Sequence, residues 1–291
     1  METVPYLFCD AVAGTIDANN YAHEQQNPVN HVGFSIWKDA FENHSFNRLK
    51  CSIIIAVNNE KWSYDVIRNT VSTWGYIDFD QLKQENRKYL RIGHIAFSNS
   101  QLSYQSCRHE IEEIVKYIHP FVNSSNLYLD NKNIIETDLT VLLSYFQSSC
   151  FNIVEVGHYK QCYEDFLKSH LHSDCLKQLR TIEGHGWSQE FQEEIQEILL
   201  KKPFGIVDCY KTNIMFERSF FEKFFELDVS DRGLIFEGVF NFTFVELKEF
   251  KKELQFCLDD SPIAIDWMRK DGVHVEVIDF ENHWTVLIKP N

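Results

Sequence analysis

The chain is short of the residues that punctuate and join domains. Only 6 Pro and 11 Gly occur in 291 residues, and no Gly/Ser, Pro-rich or charge-run linker appears, so two domains on a flexible joint are not expected. Basic charge is also scarce. With 28 Lys and Arg against 43 Asp and Glu the formal net charge is −15, which lacks the footprint that phosphate neutralisation needs and argues against nucleic acid or an anionic membrane as partner. Long apolar runs are missing too. The longest is Ile53 to Val57, far below a membrane span. The first residues carry Glu2, Pro5 and Asp10 with no basic stretch, unlike a signal peptide. These features predict a cytoplasmic or nuclear protein. The eight cysteines hold no C-x-x-C pair, so neither a zinc knuckle nor a compact disulfide framework is expected, and most read as small core fillers. No phosphate-cradling glycine loop, Walker sequence, kinase signature or G-x-S-x-G occurs. The sequence therefore names no catalytic residue and no cofactor.

What is abundant is aromatic: 24 Phe, 12 Tyr and 6 Trp, together 14%. Periodicity says where much of it belongs. Short β-rich runs recur as 127–129, 154–156, 180–182, 207–209 and 234–236, ending at steps of 27, 26, 27 and 27 residues. Each run is followed by an amphipathic helical pattern. The helical stripes are Leu139, Leu142, Leu143 and Phe146; Tyr163, Phe166, Leu167 and Leu171; Phe191, Ile195, Ile198 and Leu199; Phe216, Phe220, Phe221, Phe224 and Phe225; and Phe244, Leu247, Phe250 and Leu254. Thr137 or Asp138, Ser188, Asn213, and Thr243 with Glu246 stand where helix N-caps belong.

A strand–helix unit of this size cannot bury its own apolar face. Stacked copies can, as a curved α/β solenoid with a parallel sheet on one side and helices on the other. The spacing resembles that of leucine-rich repeats, roughly 20–29 residues. The match is imperfect, since the position where the family's L-x-L-x-x-N pattern places a bridging Asn holds Lys132, Tyr159, His185, Thr212 and Val239. A doubly wound α/β sheet with evenly sized units also satisfies the alternation.

The expected organisation is an N-terminal segment over 1–45 and a repeat domain over 46–291. Within the latter, 46–120 forms a β-hairpin and helix cap, 121–260 the strand–helix repeats, and 261–291 a C-terminal β cap. In the first cap Asn58-Asn59 reads as a hairpin turn. In the last, 263–265 reads as one further beat, and Val273, Val275 and Val277 with Trp284, Val286 and Ile288 as a closing hairpin.

Two clusters invite chemistry. His158, Cys162, His170, His172 and Cys175 are zinc-compatible residue types, but their spacing fits no zinc module, so no metal is assigned. Gly184-His185-Gly186 reads as a tight strand exit. The strands offer a binding surface instead. With Leu127, Leu129, Val154, Val156, Ile182, Val207, Cys209, Leu234 and Phe236 inward, alternation turns Tyr128, Asp130, Glu155, Thr181, Glu183, Asp208, Tyr210, Ile235 and Glu237 outward. That face is acidic with tyrosine anchors and suits a basic protein or peptide target.

At the N-terminus Val4, Phe8, Val12 and Ile16 share a helical stripe behind Pro5, and Phe34, Ile36, Trp37 and Phe41 form a second aromatic group. These residues resemble the opening of an F-box, in particular the divergent F-box and F-box-associated families of nematodes. The segment departs from them in lacking a Val-Cys-Lys-Trp run and in the polar stretch 17–30. The resemblance implies a non-enzymatic substrate receptor of a Skp–cullin–F-box ubiquitin ligase, with Val4, Pro5, Phe8, Val12 and Trp37 docking on a Skp-type adaptor. Without it, the same residues read as a helix packed on the first hairpin of a free-standing protein-binding scaffold. An uncharacterised α/β enzyme is the third reading.

Overall fold

A computed structural model describes residues 8–10, 12, 35–69, 74–181, 183–202, 204–209, 211–226, 234–243, 246–247, 264–268, 274–280 and 283–289. The first long helix, α1 (Ser35–Asn47), leads into the hairpin of β1 (Leu49–Asn58) and β2 (Lys61–Asn69). Asn58 pairs with Lys61, so the two-residue turn is Asn59-Glu60, one residue later than the sequence suggests. Both residues sit at positive φ, 50° and 64°, as the twist-matched hairpin turn requires. Strand β3 (Trp74–Ile77) adds to β2, and α2 (Phe79–Gln84) returns the chain to β4 (Leu90–Ser98) on the other side of β1.

From β4 the chain advances one strand at a time. β5 (Tyr104–Ser106), α3 (Arg108–Ile118) and a 3-10 turn at His119–Phe121 lead to β6 (Val122–Leu129), and α4 (Glu136–Ser144) leads to β7 (Cys150–Val156). Next come α5 (Gln161–Leu171), β8 (Gln178–Thr181), α6 (Gln189–Lys201), β9 (Ile206–Asp208), the short β10 (Met215–Phe216), α7 (Arg218–Glu226) and β11 (Leu234–Phe240). Strands β1, β4, β6, β7, β8, β9 and β11 are neighbours in that order, and every neighbouring pair is parallel. The order does not reverse from β4 to β11, so right-handed crossovers put their helices on one face. The apolar stripes of α3 to α7 join the inward strand residues in one buried cluster. The protein is therefore mixed α/β, with an open sheet covered by the connecting helices on one side.

Four expectations change in detail. The third strand is shifted by one residue: Leu179 and Thr181 are buried, Thr181 at 0% exposure, and Arg180 points out in Thr181's place. Along the paired row Tyr128, Glu155, Arg180, Asp208 and Glu237 the steps are 27, 25, 28 and 29 residues, less even than the sequence beat. Residues after 263 do not add a parallel strand. β12 (Ala264–Met268) is the far edge of an antiparallel meander with β13 (His274–Phe280) and β14 (His283–Lys289), and β14 is the strand that covers the edge of β11. Helix α4 starts behind Ile135 without a side-chain cap, so neither Thr137 nor Asp138 caps it. Ser188 does accept from Phe191 N, and Thr243 with Glu246 forms a capping box.

The bridging amides that the repeat pattern lacked are present at other positions. Asn131, fully buried, donates to Ser98 O and accepts from Asn133 N and Ile134 N. Asn133 donates to Val57 O, and Asn58 to Ser100 O. Asn213, expected as a cap, donates to Trp187 O, and Gln192 accepts from Met215 N. Carboxylates do the same between helices: Glu136 accepts from Cys162 N and the buried Glu164 from Ser188 N and Oγ. Each satisfies a backbone donor at the start of the next helix.

The aromatic excess is largely core. Phe216, Phe220, Phe221, Phe224 and Phe236 are buried and pack ring against ring, with Phe240, Phe242 and Trp284 extending the cluster to the terminal meander. Phe216 belongs to β10 rather than to the helix. Cys9, Cys51, Cys162 and Cys209 are buried fillers, whereas Cys107 is exposed and Cys150 and Cys175 form a disulfide joining β7 to the loop before β8. Among the described residues no helix is long and apolar enough to cross a membrane.

Candidate interaction face

The sheet face opposite the connecting helices carries two parallel rows. One row runs Ala96, Tyr128, Glu155, Arg180, Asp208 and Glu237 across β4 to β11. The other, two residues nearer the strand starts, runs His94, Asn126, Ile153, Gln178, Ile206, Ile235 and Leu287. All members of both rows are half-buried. The expected acidic face is thus real in its placement of Tyr128, Glu155, Asp208 and Glu237 but not uniformly negative. Arg180 sits in its middle, 3.8 Å from Glu155, and Ile153, then, beyond Gln178, Ile206, Ile235 and Leu287 form a broken apolar strip beside it.

At the carboxyl ends of β4, β6 and β7 the face deepens into a cavity of about 480 Å³. Its lining includes four of the residues expected to meet a target, Tyr128, Asp130, Glu155 and Glu183, together with Lys132 and Gly157. His94 stacks on Tyr128 with ring centroids 4.5 Å apart and planes within 13°. Burial raises the Glu155 carboxyl above its ordinary value; Arg180 opposes the shift, and Asp208 and Asp130 reinforce it. Burial likewise lowers His94 and raises Tyr128. His158 lies behind Asp130, Nδ1 to Oδ1 3.6 Å, and burial holds it below the usual histidine value.

Tyr210 and Ile182 lie outside the described residues, and Asp208 and Glu237 belong to the row but not to the cavity. Sequence alternation missed Arg180 because 178–182 offers one apolar residue in each phase, Leu179 or Ile182, and only the ladder chooses between them. It also passed over Ile153 and Ile206, whose outward phase was available from Val154 and Val207.

The zinc-compatible residues do not converge, and among the described residues no group of three potential ligands is close enough to hold a metal ion. His170 is tied to the carbonyls of Phe166 and Phe146, His172 pairs with Glu194, and Cys175 is in the disulfide. Gly184, at φ 134°, and Gly186 pack against Tyr159, where a Cβ would come within 2.6 and 2.3 Å, so that motif is the strand exit expected.

At the N-terminus, Val4 and Pro5 lie outside the described residues. Phe8 is 55% exposed and meets Trp37 edge-on at 6.0 Å, Trp37 stacks with Phe41, and Cys9 is buried with Ala40. Val12 is half-buried. Asp10 anchors this pair of helical segments by an ion pair to Lys88 at 2.8 Å and a hydrogen bond with His44 Nε2 at 3.1 Å, and Asn43 donates to Tyr89 Oη. The segment's described residues thus meet Lys88 and Tyr89, just before β4.

No protein-family model matches the chain, and no curated protein or solved structure matches it either.

Proposed function

We propose that the protein is a non-enzymatic interaction subunit, working in the cytoplasm or nucleus, whose strand–helix units stack as a leucine-rich-repeat-like solenoid. Its open sheet face receives a basic protein or peptide. The solenoid reading is supported by the one-way order of parallel strands and by amides that tie several turns to their neighbours. The observation that carries the binding reading is the acidic and aromatic row beside an apolar strip, on a face that the connecting helices leave free. Charge complementarity gives such a face orientation and on-rate, and its Tyr and Ile residues supply contact area. Reversing Glu183 and Asp208 to Lys weakens binding of a basic partner, and the loss shrinks as salt rises. Binding that ignores both charge and salt contradicts the reading.

A second reading, supported by the exposed Phe8 against Trp37, adds an adaptor site. In it Phe8, Val12 and Trp37 dock a Skp-type adaptor and the protein is the substrate receptor of a cullin-type ubiquitin ligase. Phe8→Asp then abolishes co-purification with the adaptor. Co-purification that survives the change, or that never occurs with the unaltered protein, removes this reading and leaves a free-standing scaffold.

A further inference from the structure

The cavity beside Tyr128 joins an aromatic wall to acid drawn from three successive strands. Tyr128 is backed by the parallel ring of His94. Asp130, Glu155 and Glu183 come from the ends of β6, β7 and β8, and Lys132 stands among them as a cation. Gly157 makes room for this arrangement, since a Cβ there would lie 2.3 Å from Asp130 Oδ1. The volume of about 480 Å³ falls within the range of pockets that enclose a ligand group. A guanidinium already lives beside this acid: that of Arg180, next to Glu155 on the neighbouring strand.

We propose that this cavity is the anchor pocket for one arginine side chain of the basic partner, its plane along Tyr128 and its N–H groups donating to Asp130, Glu155 and Glu183. The inference rests on the reading of the open face as the docking surface for a basic partner, and it names the residue read there. Arginine fits better than lysine because its planar fork can donate to several carboxylate oxygens at once and stack on a ring, whereas an ammonium is a compact, strongly hydrated point charge. Lys132 then acts against the ligand and limits its affinity.

The test uses the full chain and two fluorescein-labelled probes, a peptide of four arginines and a matched peptide of four lysines, followed by fluorescence anisotropy in low salt. The arginine peptide binds at least about threefold more tightly than the lysine peptide, and the pair Asp130→Asn with Glu155→Gln weakens it about tenfold, the equivalent of one lost charge-assisted contact. Glu237→Gln, in the face row but outside the cavity, weakens binding too, by only about twofold, through the loss of one face charge. Lys132→Gln tightens binding about threefold, a gain that misfolding cannot mimic. Equal affinity for the two peptides, equal losses inside and outside the cavity, or weaker binding by Lys132→Gln overturns the pocket and leaves the face reading standing. If the folded wild-type protein binds neither peptide, both fall.

Discussion

The two faces of the sheet are built from the same strands and obey different rules. On the helix-covered face Leu127, Leu129, Val154, Val156, Val207 and Phe236 are all fully or almost fully buried, and apolar area decides which residue is tolerated. On the other face their immediate neighbours Tyr128, Glu155, Arg180, Asp208 and Ile235 stay half-buried and mix charge, ring and aliphatic side chain. Apolar burial is thus concentrated on one side, and the proposed recognition lies on the other. A parallel sheet packed on both faces would read as continuous Val and Ile. The alternation in these strands is what a sheet with one free face requires.

Substitutions on the two faces put that contrast to the test. The largest effect belongs to the covered face: Phe236→Ala opens a cavity among Phe216, Phe220, Phe221 and Phe224 and costs about 3–5 kcal/mol in urea unfolding. Glu164→Ala follows at about 2–3 kcal/mol, because it leaves the half-buried Ser188 N–H and hydroxyl at the start of α6 without the carboxylate that accepts from both. Ile235→Ala on the open face costs about 1 kcal/mol or less, since its side chain is only half removed from water. A loss as large as that of Phe236 would mean the face is covered. The smallest effect is Glu155→Gln. Folding raises the pKa of this carboxyl, so its ionised form is penalised in the folded state at neutral pH. The Gln variant is therefore as stable as wild type or slightly more so at pH 7. Its advantage fades as pH falls through the raised value toward the ordinary 4.5, where the wild-type carboxyl takes up its proton. Urea midpoints at two pH values read both sign and trend, and a Gln variant that is less stable at pH 7 contradicts the assignment.

The covered face was legible in the sequence and the open face only partly so. Helical stripes such as Phe191, Ile195, Ile198 and Leu199 follow one period and have one way to bury themselves. The terminal residues Val275, Val277, Trp284, Val286 and Ile288 were equally plain, all buried by simple alternation. Register was harder. Thr181 and Ile182 compete for the inward position, and a shift of one residue exchanged Thr181 for Arg180 on the outward row. The bridging amides were invisible because Asn131 sits one residue before the position that the leucine-rich pattern prescribes, and because Gln192 reaches its partner from a helix. The cavity could not be read at all. It exists because loop residues Asp130, Lys132, Gly157 and Glu183, from three different strand ends, are brought together only by the stacking of the units.

The proposed recognition belongs to the open face and not to the acidity of the chain as a whole. Two triple variants of equal charge change separate these most directly. Glu155→Lys, Glu183→Lys and Asp208→Lys alter the open face, while Glu190→Lys, Glu193→Lys and Glu197→Lys alter exposed positions on α6. Anisotropy titrations with the labelled four-arginine peptide give the result. Loss of binding in the first variant with near wild-type affinity in the second is the expected outcome; equal losses in both would mean that net charge alone attracts the peptide and that the open face has no special part in it.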